Sequence, residues 1–226
     1  MLYGISVGVN LLFAFTVVAA TVLFLTATNW SKRVLLILSG WILLQSIISV
    51  SGFYLITDTL PPRFVIAVLP PLFTVLLLFF TRAGKRFMDG MDTGRLTLFH
   101  TIRIPVELIL YWLFIEKKIP ELMTFSGRNF DILSGLSAPL VYYFGFRKKW
   151  LNKKFLLIWN MVCLGLLLNI VINAALSVPF PFQQFAFDQP NVAVLYFPFC
   201  LLPALIVPMV LFSHLAAIRQ LLISRS

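Results

Sequence analysis

Three ionisable side chains, His100, Arg103 and Glu107, stand in the run HTIRIPVE inside an otherwise apolar stretch. Their spacing of i, i+3 and i+7 sets them on one face of a helix. If that helix lies in a bilayer, each such group costs about 2.5–3.5 kcal/mol to insert, which makes it a functional candidate. Arg103 and Glu107 are positioned to pair as i and i+4, and pairing would remove most of that penalty. Pro105 between them cannot donate to the carbonyl of Thr101, so a kink and a free acceptor are expected there. Two readings follow: a solvated binding site, or a structural ion pair that locks this helix to its neighbours.

Other amides and charges would gather around this face. Gln45 lies near the middle of one apolar run, and Asn169 and Asn173 share a face of another. Each is expected either to hydrogen-bond between helices or to orient a ligand beside Glu107. Arg63, Arg128, Asn129, Asp131 and Asp188 fall at span ends or in connectors and are expected at an outer mouth, as ligand contacts or as weak surface pairs. The connector FPFQQFAFDQPN, Phe180 to Asn191, would anchor in the headgroups or cover an entrance.

The elements that position these residues follow from composition. The chain has 226 residues, 60% hydrophobic and 12% charged, with a mean hydropathy of +0.97. A soluble domain is roughly 45–50% apolar and about 25% charged, so the solvent here is lipid. Seven stretches are long enough to cross, at about 8–28, 34–56, 63–81, 96–115, 129–147, 155–176 and 192–216. The fold class is therefore all-α: a single domain over 1–226 with seven transmembrane helices. A possible three-plus-one-plus-three parallel repeat rests on KRVLLIL after Ser31 and KKFLLIW after Asn152, each followed by a proline-bearing span.

Thirteen of the 18 Lys and Arg residues fall in connectors on one side, which places the N-terminus outside and the C-terminus inside. The net charge of +10 then reports topology and an attraction to anionic lipid headgroups, not nucleic acid. No charged segment precedes the first apolar run, so that span is expected to be retained. Cys163 and Cys200 fall inside spans as small buried hydrophobes.

Several chemistries fail on residue type. No span interior holds a lysine for a Schiff base, and His100 and His214 are too few for a histidine-rich zinc site. Those two histidines would still suffice to ligate one haem between the fourth and seventh spans; otherwise no cofactor is expected. No GxSxG elbow and no GxxxxGK loop occurs.

The runs GFYLITDTLPPRF, RIPVE, MTFSGRNFDILSGLSAP and PFQQFAFDQPN resemble an uncharacterised group of bacterial multi-span membrane proteins. The resemblance implies a bacterial inner-membrane location and supplies no activity. The leading expectation is a polar intramembrane cavity that binds and passes a small solute or ion. Glu107 would be its responsive group, and Arg103 either that group's partner or the anchor of an anionic ligand. The alternatives are a sensor or scaffold that signals through its basic loops, and an intramembrane enzyme acting on a lipid or quinone, with or without haem.

Overall fold

Apolar residues make up nearly the whole of each long helix, so burial selects between helices by which face meets protein and which meets lipid. The computed structural model describes residue 2 and residues 4–223. It is all-α, with α1 (Val7–Ala27), α2 (Lys32–Val50), α3 (Val65–Phe80), α4 (Arg82–Asp89), α5 (Thr93–Phe99), α6 (Arg103–Ile115), α7 (Ile132–Tyr142), α8 (Lys153–Ala175) and α9 (Val207–Ile223). By length and hydropathy the chain is a multi-pass membrane protein with five candidate spans among the described residues: α1, α2, Thr93–Ile115, α8 and Leu202–Ile223. A sixth arises if α3 and α4, bent at 91°, are taken as one.

The seven expected spans are thus reduced to five or six: 63–81 counts only if α3 is joined to α4, and the 129–147 stretch is lost in either case. The latter holds only the 11-residue α7 and a 5-residue π-helical turn, Tyr143–Arg147. At 1.5 Å per residue these reach about 24 Å, short of the roughly 30 Å of hydrocarbon. Its partners show why it is short. Asp131, just before α7, pairs with Arg103 in the middle of the Thr93–Ile115 span. From there α7 runs antiparallel to α5, until Tyr142 and Phe146 close on Gly94. Residues 116–130 therefore leave α6 and fold back into the molecule, where Met123, Thr124 and Asn129 are fully buried.

The helix ends alternate between two poles. At the loop end, Val192 and Ala193 donate to Lys118 O, and Gln189 Nε2 donates to the carbonyls of Phe114 and Ile119. At the opposite, cation-bearing end, Arg219 forms a two-pronged pair with Asp89, both contacts at 2.9 Å, and Arg95 Nη1 donates to Thr26 O at 2.6 Å. The break after α3 is local chemistry. Thr81 is extended (ψ 147°), and its hydroxyl caps α4 by accepting from the Gly84 amide at 3.1 Å.

The hydrophobic core lies between α1, α5, α6, α8 and α9. Phe13 packs on Phe199, and Phe24 packs on Phe99 and Phe212. In α2, only Gln45 and Ser49 are buried. Trp41 ties that helix to the rest by donating from Nε1 to Ala204 O at 2.8 Å, a carbonyl of the π-helical turn Leu202–Ile206. The expected parallel repeat is not evident. Ser31 and Asn152 do cap α2 and α8 alike, accepting from the third residue on, but α2 is peripheral where α8 packs along α9.

Candidate functional site

Arg103 opens α6 where a 3-10 turn, His100–Ile102, joins it to α5. The tight turn replaces the kink expected from Pro105, whose ring tolerates the first turn of a helix but not its interior. Three spans and α7 converge on the Arg103 guanidinium. Nη1 donates to Asp131 Oδ1 at 2.7 Å and to Cys163 O at 3.3 Å, and Nη2 lies 3.1 Å from His214 Nε2.

The histidine's state follows from its neighbours. Arginine can only donate, so His214 Nε2 is the acceptor and Nδ1 carries the proton. That proton goes to Asn160 Oδ1 at 2.9 Å, and Asn160 Nδ2 donates in turn to Leu156 O at 2.9 Å. His214 is accordingly a neutral imidazole, and the only charges in direct contact here are Arg103 and Asp131, with side chains 3% and 6% exposed.

The expected Arg103–Glu107 pair does not form. A helical side chain leans toward the N-terminus of its helix, so Arg103 leans away from Glu107, and an Arg-to-Glu order at i, i+4 is the weaker orientation. Glu107 Oε1 instead accepts from Asn129 Nδ2 at 2.6 Å. The Asn129 amide is fixed in that sense, because Nδ2 also donates to Met123 O at 3.0 Å and Oδ1 accepts from the Asp131 amide at 3.0 Å. Glu107 Oε2 is buried without a partner.

Close approach makes this geometry possible. A Cβ at Gly135 would stand 2.9 Å from Ile104 Cγ1 and 3.2 Å from Arg103 Cβ, so α7 meets α6 at hydrogen-bonding range only because that residue is glycine. Asn129 and Asp131, expected at an outer mouth, are therefore core residues. The rest of that cluster is dispersed. Arg63 stacks on Phe53 at 5.0 Å, Arg128 offers its carbonyl to Asn169 Nδ2, and Asp188 is exposed.

A cavity of about 460 Å³ adjoins the cluster. Arg103, Val106, Glu107 and Leu110 of α6 form one wall, with Asp131 beside them. Val65, Val68, Leu69 and Leu72 of α3 face Leu167, Leu168, Val171 and Ala174 of α8. Phe180, Phe182 and Asn191 line its loop end. The lining is overwhelmingly apolar, against the polar cavity expected. Gln45, Asn169, Asn173 and His100 do not line it. Gln45 accepts the Tyr54 hydroxyl in another part of the core, and Asn173 Nδ2 bonds to Asn169 within α8.

His100 lies face to face with His214, ring centroids 3.7 Å apart and planes at 11°. Two axial ligands need a porphyrin plane between them, and these stacked rings leave no room for one; the residues do not fit bis-histidine haem. Among the described residues, no group of three or more His, Cys, Asp or Glu could hold a metal ion.

Sequence reasoning passed over Asn160, although an amide in mid-span is itself a signal for a buried polar partner. No curated protein and no solved structure matches the chain. The stretch beyond α2, which carries the whole buried cluster and both helices that flank the cavity, is also where kinship is found. A family model described as a domain of unknown function, DUF8737, matches residues 60–222, and the chain belongs to that family.

Proposed function

We propose that this multi-pass membrane protein binds a lipid-soluble small molecule, taken sideways from the bilayer into the cavity between α3 and α8. One observation carries the reading. Leu69 and Leu168 line the cavity and are also 57% and 47% exposed on the apolar surface, so the cavity reaches the lipid face between these two helices. Neither helix has the other as a main packing partner: α3 packs on α4 and α9, and α8 on α7 and α9. A hydrophilic ion would be stripped of water along such walls with little to replace it, so the expected small solute is narrowed to an apolar or amphipathic one.

The side-by-side charge distribution supports an N-terminus outside and a C-terminus inside, with anionic headgroups held by the 82–95 and 147–154 connectors. The cavity then opens toward the outer half of the bilayer, with the buried cluster at its floor.

Filling the cavity tests the reading. Val171→Trp in α8 is expected to abolish binding of a neutral lipophilic fluorophore, N-phenyl-1-naphthylamine, to the purified full chain in nanodiscs. Fluorescence titration that gives the same affinity for the variant and the parent would overturn it.

A further inference from the structure

We propose that the cavity selects cationic amphiphiles, with Glu107 as the counter-charge to the bound headgroup. This rests on the reading of the cavity as a binding site for lipid-soluble molecules and adds the sign of the ligand.

Charge accounting comes first. Arg103 is matched by Asp131 at 2.7 Å, and His214 is held neutral by its two hydrogen bonds. Glu107 is left over, so the wall is neutral when that carboxyl is protonated and carries one surplus negative charge when it is not. In neither state is there a positive surplus to offer a phosphate, sulfate or carboxylate headgroup. Arg103 is therefore not the anchor of an anionic ligand that its sequence position alone suggests.

Hydrogen-bond accounting agrees. Glu107, 1% exposed, lines the cavity with Oε2 unpartnered, and the Asn129 donor on Oε1 fixes the carboxyl's orientation. Asn191, fully buried, lines the same cavity toward the loop end. Its Nδ2 donates to Ala174 O at 3.2 Å, which leaves Oδ1 as a second unpartnered acceptor. Arg103 Nε is one unpartnered donor on this wall, on a guanidinium already neutralised. Buried polar atoms are nearly always satisfied, so two orphaned acceptors in an apolar chamber call for a guest that brings donors or positive charge. The surrounding aliphatic and aromatic walls suit its apolar part.

Lipophilic ions of one shape and opposite sign give the test. Tetraphenylphosphonium, tetraphenylborate and neutral triphenylphosphine are titrated against the detergent-solubilised full chain by calorimetry, with Glu107→Gln and Glu107→Asp alongside. Tetraphenylphosphonium is expected to bind and tetraphenylborate not to. Glu107→Gln should weaken the cation by about 10-fold or more while leaving triphenylphosphine unchanged, and Glu107→Asp should keep the cation preference. Borate binding as tight as phosphonium overturns the assignment from the parent protein alone, whether or not either variant folds. So does an unchanged phosphonium affinity in folded Glu107→Gln. Binding of triphenylphosphine without preference for the cation leaves the cavity reading standing and removes its sign; if none of the three binds, both fall.

Discussion

Asp131→Ala should destabilise the protein by about 3–5 kcal/mol, the penalty for stranding a buried charge. Arg103, 2% exposed, would keep only the Cys163 carbonyl and a neutral imidazole as acceptors. Arg103→Met alone should be damaging for the mirrored reason, since Asp131 then lies unmatched close to Glu107. The double variant Arg103→Met, Asp131→Ala removes both charges and should recover much of the loss, though not all, because His214 Nε2 loses its donor. Denaturant unfolding of the four proteins in micelles, read as a double-mutant cycle, measures the coupling. Purely additive losses would show that the pair contributes nothing as a pair.

Gly127→Ala should lose about 2–3 kcal/mol and impair ligand binding in the same variant. A Cβ there would stand 2.3 Å from Glu121 O and 2.8 Å from Leu122 Cα, both backbone atoms that cannot swing aside. The turn has to reopen, and that turn is what carries Asn129 to Glu107 and Asp131 to Arg103. Gly165→Ala in α8 is the control. Nothing lies within 4 Å of its added Cβ, so the variant should be neutral or more stable by up to about 1 kcal/mol. Thermal melts with fluorophore titration separate the two glycines; equal behaviour would remove the turn from the binding geometry.

What could be read beforehand divides along a physical line. Lipid as solvent, the long helices and the shared helical face of Arg103 and Glu107 all follow from local composition and the 3.6-residue period. The partners of those two residues do not, because they depend on where residues 116–130 go after α6. A hydropathy window sees 129–147 as apolar and long enough, and it cannot see that the stretch begins at half depth. Two hints were present. An arginine in mid-span demands a carboxylate, and Asp131 opens the run DILSGLSA, whose small residues permit close helix contact. Glu107, one turn along the same helix, was the nearer candidate and had the wrong orientation for it. The apolar cavity was illegible for a related reason: it is a gap between α3 and α8, and gaps have no sequence period.

The shortness of α3 and α7 reaches beyond the protein into its solvent. The 16 residues of α3 span about 24 Å before the chain turns through 91° into α4, which carries Arg82, Lys85 and Arg86. If α3 crosses the bilayer, the hydrophobic belt on that flank would be several ångströms thinner than on the flank of α1 or α8, and acyl chains would have to shorten or tilt to meet it. The resulting dimple would draw the water boundary toward Arg103 and favour membranes built from shorter lipids.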